Sequence, residues 1–218
     1  MLSKFKDPVS GLTHLAGVFL SIIGAIILIY QSVLVATPWH IIAFSIFGAS
    51  LFLLYLASTL YHLLPLSERG TAILRRIDHM MIYVLIAGTY TPICLVTLRG
   101  LWGWILLAII WSLALAGFAM KLFWFNAPRW FSTLCYVWMG LLVLAFFPLL
   151  VKPLSPAAIG WIVAGGIMYI IGAIIYGTKL PALNFSRWFG FHEVFHLFVL
   201  AGSFCHYWFM YRFLLPAI

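Results

Sequence analysis

The chain has 218 residues, of which 66% are apolar and only 7% charged, and its mean hydropathy is +1.15. Soluble domains carry about a quarter charged residues, so a water-soluble fold is excluded, and the short alternating segments of a membrane β-barrel are absent as well. The net charge of +8 sits in short loops between apolar runs. It forms no basic stripe with interleaved aromatics, so nucleic acid is not expected as a partner.

Apolar runs long enough to cross a bilayer recur along the chain. The predicted class is an all-α integral membrane protein, a single domain over residues 1–218 built as a bundle of seven transmembrane helices. The first span is expected at 12–35, after a polar start holding Lys4, Lys6, Asp7 and Pro8. It is too long for the apolar core of a cleavable signal and reads as a signal anchor. The second is expected at 41–64, and Pro65, Ser67, Glu68, Arg69 and Gly70 break the chain after it. Asp78 is expected to open the third, 78–98, which Pro92 should kink. Arg99 and Gly100 make a turn into the fourth, 101–125, where Lys121 lies near enough the end to snorkel. Asn126, Pro128 and Arg129 lead to the fifth, 131–150, and a loop from Lys152 to Pro156 to the sixth, 157–176. A polar connection from Gly177 to Arg187 precedes the seventh, 191–213.

Positive charges set the orientation. Lys4, Lys6, Arg69, Arg75, Arg76, Lys121, Arg129, Lys179 and Arg187 fall on the N-terminal side, and only Arg99, Lys152 and Arg212 on the other. That asymmetry predicts a cytoplasmic N-terminus and an outside C-terminus. Cys94, Cys135 and Cys205 fall in separate spans without a CxxC spacing, and read as small buried apolar residues.

This topology brings distant polar residues to one depth. His62 ends the second span, Asp78 begins the third, and His192 and His196 occupy the first turns of the seventh. Ionisable groups inside a membrane are costly, so several at one depth point to a site. Residues four apart share a helix face, which lets His192 and His196 present two imidazoles to one ion. Ser58 and His62 share a face in the same way. Two ligands from one helix and one from another leave a fourth tetrahedral position for water, the pattern of a catalytic zinc site. Asp78 is placed to orient or deprotonate that water or to orient a ligand, and Ser58 to hold Asp78 or donate to an oxyanion.

Other readings stand beside this one. A single membrane histidine can simply bond a neighbour, serine often packs between helices, and Asp78 could pair with Arg75 or Arg76. The string from His192 to His196 also fits HExxH, in which Glu193 would be the base of a metalloprotease. Alternatively Glu193 faces the headgroups or pairs with Arg187. His14 is a candidate second-shell partner or a plain polar contact. His79 follows Asp78 and is expected to point elsewhere, and His40 lies in a turn at the opposite end. His206 is 14 residues past His192, about 21 Å along a helix, too far to share its ion.

The strings Ala57-Ser58-Thr59-Leu60-Tyr61-His62, Ala87-Gly88-Thr89-Tyr90-Thr91-Pro92 and His192-Glu193-Val194-Phe195-His196 together resemble the progestin and adiponectin receptor superfamily. They are nearest its bacterial branch, the hemolysin III family. The resemblance covers nearly the whole chain, and all five signature positions match. It implies a zinc ion held by His62, His192 and His196 at the cytoplasmic side, with Asp78 on the zinc-bound water and Ser58 beside it. It also implies a multi-pass protein of the bacterial inner membrane whose partners are membrane lipids. Receptor relatives are associated with ceramide hydrolysis, and the bacterial branch with cytolysis and membrane homeostasis. The expected function is a zinc-dependent hydrolase of a lipid amide or ester. The alternatives are a membrane regulator or cytolysin with structural zinc and, less favoured, an intramembrane protease.

Overall fold

A computed structural model describes residues 6–124, 126–183, 185–186 and 189–215. Among these residues there are seven helices long and apolar enough to cross a membrane. They are α1 (Pro8–Val35), α2 (Pro38–Leu63), α3 (Glu68–Thr97), α4 (Leu101–Phe123), α5 (Arg129–Leu150), α6 (Pro156–Thr178) and α7 (Phe191–Leu214). Helices suit such a sequence because each backbone N–H and C=O is satisfied within its own segment, where the bilayer offers no water.

Local signals fix the helix starts. Proline stands in the first turn of α1, α2 and α6, where its missing N–H costs nothing. Ser67 caps α3 by accepting from Gly70 N, and Ser155 caps α6 by accepting from Ala158 N. Gly100 makes the α3–α4 turn at φ +131°, a conformation open to glycine and strained for other residues.

Three expectations are corrected. α3 begins at Glu68 rather than Asp78, because Ser67 caps it and its charged first turns run on as helix; Glu68, Arg69 and Gly70 belong to the helix, not to a break. Asp78 therefore lies ten residues inside α3. Lys121 does not snorkel: it is buried and donates to Ser132 Oγ on α5. Pro92 does interrupt α3, and the chain passes into a π-helical stretch, Ile93–Thr97. α5 is broken too, with a 3₁₀ segment Leu142–Phe146 before Phe147 and Pro148.

α2 and α3 form the middle of the bundle, with 56% and 67% of their spanning windows buried, against 22% and 17% for α4 and α5. The peripheral helices turn residues such as Phe19, Leu20, Leu115 and Trp138 outward. Apolar side chains on that surface are what a lipid-facing wall requires. α1 packs on α2, α2 on α3, and α6 on α7, while α1 also meets α7. This last contact sets the first and last helices side by side.

Candidate metal centre

His62 stands one residue before the end of α2, and His192 is the second residue of α7, with His196 one turn further. Their potential ligand nitrogens all lie within 4.8 Å of one another. Nε2 of His62 and Nε2 of His192 are 3.2 Å apart, near the edge of a tetrahedron with Zn–N bonds of about 2.0–2.1 Å. The rings are close as well: centroids are 5.0 Å apart for His62–His192, 5.1 Å for His62–His196 and 4.6 Å for His192–His196. Imidazole donors without thiolates suit zinc as well as copper, iron and nickel, so the donor set fits such a divalent ion.

The sequence reading overlooked what surrounds these rings. Asp7, just ahead of α1, places Oδ2 3.2 Å from His62 Nδ1. The Ser10 carbonyl oxygen lies 3.2 Å from His196 Nδ1. A histidine that donates from Nδ1 is fixed in the tautomer that offers Nε2 to a metal. One turn of α1 thus orients two of the three rings. The backbone reinforces this, because Asp7 N–H donates to the His62 carbonyl at 3.0 Å. Gly11 permits the approach: a Cβ there would come within 2.3 Å of Leu63 Cδ2. The hydrogen bond from His62 is the main reason the Asp7 carboxyl is held below its ordinary value, against partial desolvation. A signal for Asp7 did exist. It is one of only four acidic residues in the chain and lies at the same end as His62.

The remaining candidates fall at distinct places. His14 stacks on His196 with ring centroids 3.6 Å apart and planes 7° from parallel, so it backs a ligand ring. Glu193 has both carboxylate oxygens engaged. It accepts from Ser10 Oγ and, at 2.8 Å, from Gly190 N–H. It therefore ties the start of α7 to α1, each oxygen accepting one hydrogen bond. Its suggested partner Arg187 lies outside the described residues. Asp78 sits beside Ser58 and within electrostatic reach of His62, although Ser58 Oγ makes no hydrogen bond of ordinary geometry. His79 lines the same cavity as Asp78, with Nε2 3.4 Å from the Tyr176 hydroxyl, and is not among the three clustered histidines. His40 belongs to the first turn of α2, where its Nδ1 lies 2.9 Å from Thr37 Oγ1.

Ser58, Asp78, His192 and His196 form one end of a cavity of about 290 Å³ that runs between α2, α3, α5, α6 and α7. Its walls are chiefly apolar, with Leu54, Ile82, Val143, Ile162, Ile170 and Val199 among them. The arrangement joins a candidate metal centre to a chiefly apolar cavity.

The family model described as "Haemolysin-III related" matches residues 2–207. The chain belongs to this family. Its haemolysin-III relatives include "Hemolysin-3" of Bacillus cereus, 44% identical over 201 residues that cover 91% of this chain and 87% of that protein. "Hemolysin-3 homolog" of Bacillus subtilis (strain 168) is 42% identical over 203 residues, 93% of this chain and 92% of the relative. A shorter likeness, 36% over 58 residues, reaches the "Adiponectin receptor protein" of Drosophila melanogaster, covering 25% of this chain and 13% of that receptor. The haemolysin-III resemblance read from the motifs is thereby borne out, as is the seven-helix membrane class.

Proposed function

We propose that this haemolysin-III-related membrane protein is a zinc-dependent hydrolase of a lipid amide or ester, with its site at the cytoplasmic end of the bundle. We further propose the bacterial inner membrane as its location and membrane lipids as its partners. The observation that carries this reading is the three-histidine cluster at one end of a chiefly apolar cavity. His62, His192 and His196 would hold the ion. Zinc there supplies Lewis acidity and makes water nucleophilic near neutral pH. The cavity walls take the acyl chain and exclude water, which leaves the scissile carbonyl beside Asp78 and Ser58. Asp78 accepts the proton of the attacking water and returns it to the leaving amine or alcohol as the acyl bond breaks. Ser58 Oγ donates to Asp78 or to the oxygen of the tetrahedral intermediate. His14 and Asp7 hold ligand rings in place and carry no part of the reaction.

The relatives named Hemolysin-3 keep a second reading in view, a cytolysin or membrane regulator in which the ion is structural. Metal content tests the centre that both readings share, and the lipid product separates them. The hydrolase reading expects about one zinc per chain by elemental mass spectrometry, lost in His196→Ala. Loaded protein should then release fatty acid from a ceramide-type lipid, and Asp78→Asn should abolish release while keeping the metal. Erythrocyte lysis that survives His196→Ala, with no lipid product in a mass-spectrometric screen, would establish the second reading instead.

A further inference from the structure

The cavity has a second polar place, far from the histidine cluster. His206 is ten residues beyond His196 on α7, about 15 Å along the helix. It is 7% exposed, lines the cavity, and its Nδ1 has no hydrogen-bond partner. Its ring lies nearly parallel to Tyr169 of α6, with centroids 5.5 Å apart and planes at 20°. Tyr169 also lines the cavity, and its hydroxyl lies 2.9 Å from Ser203 Oγ, which in turn accepts from Tyr55 at 2.6 Å.

The two rings are seated reciprocally. A Cβ on Gly165 of α6 would come within 2.6 Å of His206 Nε2, and a Cβ on Gly202 of α7 within 2.7 Å of Tyr169 Cδ1. Each helix thus gives up a side chain to receive the other's polar ring. For packing alone, a phenylalanine or leucine would fill the same space without a buried ring nitrogen in need of a partner. His206 shares the inner face of α7 with His192, His196 and Val199, by their spacing. A chain lying along that face from the candidate metal centre passes His206 part-way.

We propose that His206 and Tyr169 form a second polar subsite, which takes a hydroxyl or carbonyl oxygen carried part-way along the acyl chain of the bound lipid. This rests on the reading of the cavity as a lipid site. It adds that the preferred chain is oxygenated about 15 Å from the end nearest the metal centre. A hydroxyl both donates and accepts, so it satisfies the imidazole in either tautomer.

The test uses the full-length protein in detergent and measures binding of stearic, 2-hydroxystearic and 12-hydroxystearic acids by native mass spectrometry in competition. Wild type is expected to bind the mid-chain hydroxy acid about fivefold to tenfold more tightly than stearic acid, the size of one net hydrogen bond. The 2-hydroxy acid should show no such gain. His206→Phe should bring the preference to within about twofold, while His206→Gln, which keeps a donor and an acceptor, should retain part of it. Thermal unfolding of each variant checks its integrity, and the contrast between the two hydroxy acids in wild type decides the matter even if His206→Phe is unstable. Equal binding of all three acids overturns the subsite and leaves the cavity as a lipid site. Binding of none overturns both readings.

Discussion

At the scale of single residues, Asp7 deserves the first experiment. Its carboxylate faces His62 Nδ1, opposite the nitrogen that points at His192. Asp7→Asn removes the charge and keeps the shape. It should weaken zinc binding about 10- to 100-fold, the usual cost of losing a partner behind a ligand, as read by competition with a coloured chelator. The sign of the pH dependence follows from the lowered carboxyl value. The Asp7–His62 contact is fully present above the ordinary aspartate value of 3.8 and is lost only as pH falls through the lower value. Acid loss of metal above that range must therefore have a source other than protonation of Asp7. Glu193 behaves differently, since it caps α7 and holds Ser10. Glu193→Gln should keep the metal and lower stability by about 1 kcal/mol in thermal melts. Abolished metal-dependent hydrolysis in a folded, metal-loaded Glu193→Gln protein would revive the protease-like base.

At the scale of elements, the broken helix α5 depends on a residue from α3. The Tyr90 hydroxyl lies 2.7 Å from the Gly140 carbonyl and 3.0 Å from the Met139 carbonyl, to which it donates, and it accepts from Val143 N–H at 2.8 Å. It thus fills the gap where the α-helical ladder changes to 3₁₀. Tyr90→Phe removes these hydrogen bonds inside the bundle and should cost about 1–3 kcal/mol, seen as a lower unfolding temperature in detergent. The sequence carried the spans clearly, because a long apolar run has no stable alternative to a helix in a bilayer. Its only mark of the break in α5 was Pro148, which lacks an N–H and crowds the carbonyl four residues back, since Leu142–Phe146 is as apolar as its flanks and the Tyr90 hydroxyl that bonds there lies on another helix. The start of α3 was hidden for the opposite reason. Glu68, Arg69, Arg75 and Arg76 depress hydropathy, yet helical hydrogen bonding carries on past the apolar stretch. The histidine cluster was legible because depth follows from topology. The pairing of Asp7 with His62 and the role of the Ser10 carbonyl were not, since the packing of α1 against α2 and α7 is a tertiary fact and a main-chain acceptor leaves no mark on composition.

At the scale of the whole molecule, the candidate centre joins α2 to α7 and α1 braces both. An ion bound there belongs to the folded state alone, so it should stabilise the entire bundle. At a free metal concentration of 100 times Kd the gain is about 2.7 kcal/mol. Chelation should lower the unfolding temperature of wild type and leave that of His196→Ala unchanged. A chelator-insensitive wild type that demonstrably holds zinc would mean that the ion contributes nothing to holding α2 and α7 together.

The contact between the first and last helices also has a consequence for synthesis. His62 and its partner Asp7 leave the ribosome at least 130 residues before His192 and His196. Throughout translation the growing chain offers a single imidazole where three are needed. The donor set comes into being only when α7 docks beside α1, so capture of an ion would wait until α7 has been made. Nascent chains arrested before His192 should carry none, however long they wait in the membrane.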